Sequence, residues 1–97
     1  MSDNFKEVKI LGLNPNETRL DLIPHNYVFD FNVAVTEAWK TIFLRKWKFY
    51  LDAKPKVLLE SNSLTILCSQ DELHKHLEYI NKLFKESNEE YEKETKN

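Results

Sequence analysis

The stretch "YVFDFNVAV", residues 27–35, decides the fold because its side chains alternate between two classes. Aromatic and branched apolar residues take every second position, and the positions between them include Asp30 and Asn32. Successive side chains of a β-strand point to opposite faces. The pattern therefore predicts a strand with one face on the hydrophobic core.

Two further strands are predicted on the N-terminal side of this stretch. Residues 5–13, "FKEVKILGL", carry apolar side chains at alternate positions, and "NPNE" at 14–17 has the composition of a turn. Residues 18–23, "TRLDLI", then alternate Leu20 and Leu22 with charged side chains. This arrangement predicts that 5–13 and 18–23 pair as a hairpin.

On the C-terminal side, two short apolar runs and a long helix are indicated. "VLLE" at 57–60 and "LTILC" at 64–68 flank a polar turn and predict two strands. From Ser69 onward, apolar residues recur every three or four positions as far as Phe84, which is typical of an amphipathic helix. The charged segment that follows predicts a frayed or disordered tail over 89–97.

A further helix is predicted over residues 36–52, between the two groups of strands. Thr36 is a suitable N-cap, and Pro55 disfavours helical geometry at the residue before it. On a helical projection, apolar side chains cover an arc of roughly 240 degrees, against about 100 degrees for an ordinary surface helix. Lys46 lies near the centre of that arc. The alternative is a strand over 42–51, where aromatic residues also alternate.

These elements predict an α+β fold with the order β-β-β-α-β-β-α. A mostly antiparallel sheet of about five strands would carry both helices on one face. The chain has 97 residues, which suits one domain over residues 1–88. A signal peptide, a membrane span and a disulfide pair are not indicated, so we expect a cytoplasmic protein that does not bind membranes.

The formal net charge is −2, but the charges are unevenly distributed. Residues 40–56 contain six Lys or Arg and one Asp, which gives +5. The possible contacts with an anion or a nucleic acid are the basic residues of this segment: Lys40, Arg45, Lys48, Lys54 and Lys56.

The sequence contains no pattern of residues typical of a catalytic, metal or cofactor site. Gly12 is the only glycine, which excludes a glycine-rich phosphate loop. His74 and His76 are two residues apart, so a helix directs them away from each other. We expect Cys68 to be a small core residue and His76 to be a semi-buried structural one. The chain is therefore expected to be neither an enzyme nor a cofactor-binding protein.

The wide apolar arc predicts a protein-interaction module that forms a homodimer or binds another protein through the helix over 36–52. The expected interaction surface is Trp39, Phe43, Lys46, Trp47 and Tyr50. One alternative is a nucleic-acid-binding protein that uses the basic, aromatic segment 40–56. The other is a pocket for a small ligand near Lys46.

Overall fold

The computed structural model describes residues 7–50 and 55–95. Within these ranges the chain is α+β, with four strands and two helices. The elements are β1 (Ile10–Leu13), β2 (His25–Phe31), α1 (Glu37–Trp47), β3 (Lys56–Leu59), β4 (Ser63–Cys68) and α2 (Gln70–Thr95). The strands form one antiparallel sheet with the order β1-β2-β4-β3.

The alternation in β2 places its aromatic residues on the core as predicted. Tyr27 and Phe29 are buried, and they face Ile66 and Leu64 of β4 in the register of the sheet. Cross-strand partners share a face, so this face carries the core, and side chains of both helices pack on it. The strand ends at Phe31, earlier than the sequence predicts.

The prediction of about five strands is wrong, because the segment 18–23 forms no strand. The carbonyl of Asn14 accepts hydrogen bonds from the backbone N–H groups of Glu17 and Thr18, which closes a tight turn. Arg19 then pairs with Asn26 of β2 through two backbone hydrogen bonds of 2.8 and 2.9 Å. The chain therefore resumes along the same side of β2 that β1 occupies, and it does not fold back on β1.

Two asparagine side chains hold the segment that leads into β1. The Val8 N–H donates to Oδ1 of Asn88 at 3.0 Å, and the Val8 carbonyl accepts from Nδ2 of Asn88 at 3.1 Å. On the other side, the Lys9 N–H donates to Oδ1 of Asn32 at 2.7 Å, and Nδ2 of Asn32 donates to the Glu7 carbonyl at 2.9 Å. The two amides take the place of neighbouring strands.

Asn88 also connects the two helices. Its Oδ1 accepts a second hydrogen bond from the indole Nε1–H of Trp39 at 2.9 Å. Asn88 is 5% exposed and Trp39 is 1% exposed, so these polar groups are removed from water. Buried polar groups without partners are costly, and Asn88 provides partners for three of them.

The predicted tail is helical in the structure as far as Thr95, and residues 96–97 lie outside the described residues. The helix continues because its last third makes contacts with the rest of the chain. Ser87 and Asn88 are buried, Tyr91 packs on the core, and Glu90 pairs with α1. The single domain over 1–88 stays a prediction.

We predict that Asn88→Leu lowers the free energy of unfolding by about 3 kcal/mol, because the Val8 N–H, the Val8 carbonyl and the Trp39 indole N–H lose their partner. Chemical denaturation followed by circular dichroism measures the change. Asn81→Leu is the matched control on the exposed side of α2, and we expect a change within about 0.5 kcal/mol there. Equal effects of the two substitutions would contradict the role given to Asn88.

Candidate functional site

The helix α1 starts as predicted and excludes the alternative strand over 42–47. Oγ1 of Thr36 accepts a hydrogen bond from the Trp39 backbone N–H at 3.1 Å, which is the expected N-cap contact. The helix ends at Trp47, and residues 51–54 lie outside the described part of the chain. The wide apolar arc therefore belongs to a real helix.

The structure corrects the predicted interaction surface on this helix. Four of its five residues are core residues: Trp39 is 1% exposed, Phe43 0%, Trp47 7% and Tyr50 6%. Buried side chains offer no surface to a second copy or to another protein.

Phe84 of α2 is the residue that closes the aromatic face of α1. Its ring lies edge-on to Trp39 with the ring centroids 5.0 Å apart, and edge-on to Phe43 with the centroids 5.3 Å apart. It also contacts Phe31 of β2 in the same edge-to-face manner at 5.4 Å. These are favoured geometries for aromatic pairs. The excess apolar arc is thus covered by the chain's own second helix.

Tyr50 extends this core beyond the end of α1. A hydrogen bond of 2.7 Å joins its hydroxyl group to Nδ1 of His76, which is fully buried on α2. The Tyr50 ring stacks on Tyr79 with the centroids 4.3 Å apart. Nε2 of His76 is 3.5 Å from a carboxylate oxygen of Glu72. His76 is therefore more deeply buried than predicted.

Lys46 meets a carboxylate of its own chain. Its Nζ is 2.9 Å from Oε1 of Glu90 on α2, and Nη2 of Arg45 contacts Oε2 of the same side chain. The hydrogen bond from Lys46 is the largest cause that lowers the pKa of Glu90, and the charges of Lys46 and Arg45 add to it. The lysine on the apolar side of α1 is explained by an acidic partner on the neighbouring helix.

The predicted basic contacts do not form one continuous cationic surface. Nζ of Lys40 pairs with Glu37 one turn earlier at 2.7 Å, and Arg45 pairs with Glu90. The Lys48 side chain is exposed after the end of α1, and the Lys56 side chain is exposed at the start of β3. The fifth predicted contact, Lys54, lies outside the described residues.

Cys68 is buried at the end of β4, as predicted. Burial is the main cause that raises the pKa of its thiol, and the nearby charge of Glu72 acts in the same direction. A thiol with a raised pKa is a poor nucleophile near neutral pH. Cys68 therefore has the properties of a core residue.

A different apolar surface lies at the edge of the sheet. Its five aliphatic residues, here called the β1 edge surface, are Leu11 (70% exposed), Leu13 (46%), Leu20 (59%), Leu22 (38%) and Ile23 (96%). Leu11 and Leu13 belong to β1, and the other three follow the turn after β1. The bridge between Arg19 and Asn26 keeps this second group along the same side of β2.

The sequence contains one signal for this surface that the strand prediction concealed. The alternation of Leu20 and Leu22 with Arg19 and Asp21 indicates a strand with a buried face. The structure leaves both leucines exposed and pairs the two charged residues with each other at 2.8 Å. Alternation shows that a segment has an apolar side, but it does not show whether the chain itself covers that side.

The outer face of the sheet, opposite the helices, is concave and polar. A depression of about 380 Å³ there has Val28 and Leu58 at its centre, with carboxylates from Glu17, Asp30 and Glu60 at its margin. Within residues 7–50 and 55–95, no three or more His, Cys, Asp or Glu side chains are grouped as metal ligands. No helix in the described ranges has both the length and the apolar character needed to cross a membrane.

No family model matches this chain, and no curated protein or solved structure matches it either.

We predict that Glu90→Gln lowers the free energy of unfolding at pH 7 by about 1 kcal/mol, because Lys46 and Arg45 lose their charged partner. The folded-state pKa of Glu90 lies below its usual value of 4.5, so the stabilisation is complete above about pH 4.5. It is lost as the pH falls through the folded-state pKa. Denaturation curves at pH 7 and near pH 2.5 should therefore show a difference from the wild type that disappears in acid.

Glu89→Gln is the matched control for this measurement. It removes the same charge from the adjacent position on α2, where the side chain is exposed. We expect little change at either pH. A difference for Glu90→Gln that persisted in acid would show that the effect comes from packing and that ion pairing does not cause it.

Proposed function

We propose that this chain is a non-enzymatic protein-interaction module that binds its partner through the β1 edge surface. The supporting observation is the exposure of five large aliphatic side chains along one edge of the sheet. Single exposed apolar residues are normal on a protein surface, but a group of them is typical of an interaction site.

The size of the surface agrees with a reversible contact. The five residues together expose about as much surface as three fully exposed aliphatic residues. Burying three such side chains contributes roughly 5–9 kcal/mol from one partner. The loss of translational and rotational freedom on association costs about 4–15 kcal/mol. The net result is a moderate affinity, which suits a transient complex better than a permanent one.

The edge position adds a second source of affinity. β1 is the first strand of the sheet order and has one neighbour, β2, among the described residues. An edge strand can pair its remaining backbone groups with a strand from another chain. Apolar side chains and backbone pairing would thus act at the same place.

The homodimer through the aromatic side of α1 loses its support, because α2 and the sheet cover that side. The small-ligand alternative loses support for a similar reason: the Lys46 amine lies 2.9 Å from a carboxylate oxygen of Glu90, and a ligand would have to displace that group. The nucleic-acid alternative is weakened because Lys40 and Arg45 pair with carboxylates of their own chain.

Site-specific photo-crosslinking in an extract of the source cells tests the proposed function. A photo-reactive amino acid placed at Leu20 or Ile23 should give discrete covalent adducts, because each side chain would lie within the contact. The same amino acid at Phe49 is the matched control, since Phe49 is 73% exposed but lies just after α1. Equal adducts from all three positions, or none from Leu20 and Ile23, would contradict the proposal.

A further inference from the structure

We infer that the partner of the β1 edge surface is a second copy of this chain, packed edge to edge about a two-fold axis. This inference rests on the proposed function and names the partner for it. Three features of the described residues support it: the chain protects one edge of the sheet and not the other, the open edge has no net charge, and its area suits a weak symmetric contact.

The two edges of the sheet differ in how they are protected. Proteins prevent unwanted pairing at a sheet edge with charged side chains or proline. The edge strand β3 begins with the exposed Lys56 directly after Pro55. The edge strand β1 reads "ILGL" and contains neither device. A register shift between Ile10 and Gly12 leaves Leu11 unpaired and 70% exposed.

The charge of the open edge favours a copy of itself over an acidic or a basic partner. Residues 9–23 contain two positive side chains, Lys9 and Arg19, and two negative ones, Glu17 and Asp21, so the net charge is zero. Arg19 and Asp21 also form a hydrogen-bonded pair with each other. No excess of one charge attracts a strongly charged partner, and none repels a second copy.

A two-fold axis also places unlike charges together. Lys9 precedes β1 and Glu17 follows it, so the two residues lie at opposite ends of the edge. In an antiparallel arrangement, the Lys9 end of one copy faces the Glu17 end of the other. The same patch then serves both sides of the contact, as a two-fold interface requires.

The apolar area sets the expected affinity. Three aliphatic side chains correspond to roughly 200–350 Å² of apolar surface. A stable complex buries about 800 Å² per partner, of which the apolar centre is one part and a polar rim the rest. The β1 edge surface is therefore large enough for the centre of a small interface. It predicts a dimer that dissociates at concentrations of the order of 10–100 µM.

Sedimentation equilibrium of the full chain from about 1 µM to about 500 µM tests the inference. We expect a reversible monomer–dimer equilibrium that the double variant Leu11→Ser and Ile23→Ser weakens at least tenfold. Phe49→Ser removes a large exposed side chain from a different surface and should leave the equilibrium unchanged. Circular dichroism verifies that each variant is folded.

A charge exchange tests the arrangement even if the double variant does not fold. Lys9→Glu should weaken the dimer about threefold by placing like charges together, and the additional change Glu17→Lys should restore the wild-type affinity. Both side chains are exposed, so the fold tolerates the changes. Weakening without restoration would overturn the two-fold arrangement.

The outcomes separate this inference from the proposed function. A chain that remains monomeric to 500 µM, or a dimer weakened by Phe49→Ser and not by the edge variants, overturns the second copy as partner. If photo-crosslinks from Leu20 then appear at a mass other than twice the 11.6 kDa of one chain, the interaction module still stands. If no crosslinks appear, both proposals fail.

Discussion

The structure depends on the hydrogen bonds of Asn88, a single buried amide near the end of α2. This side chain satisfies both backbone groups of Val8 and the indole N–H of Trp39. It therefore joins the segment before β1, the first helix and the second helix at one point. Without it, three polar groups would be buried without partners, and the aromatic residues around Trp39 would lose the element that orients them.

This constraint determines which surface the chain can offer to a partner. Because Asn88 and Phe84 hold α2 against α1, the aromatic side of α1 is core, and Lys46 meets Glu90 inside the same helix pair. The apolar residues that remain open lie on the β1 edge surface. The proposed function thus follows from what the fold leaves uncovered.

The sequence predicts what depends on local pattern. The alternation of Tyr27 and Phe29 and the N-cap at Thr36 are both confirmed. It fails where distant residues decide: Asn88 is 80 positions from Val8, so the charged C-terminal segment appears free to fray. The segment 18–23 fails for a similar reason, because the turn at Asn14 directs it along β2.

Hydrogen exchange followed by NMR tests the central claim most directly, because it reports on the groups that Asn88 holds. The indole N–H of Trp39 and the backbone N–H of Val8 should exchange only through global unfolding, with the same free energy as the most protected amides of β2 and β4. Exchange of both groups within minutes, while those amides stay protected, would contradict the account. It would show that the N-terminal segment and α1 open independently of the core.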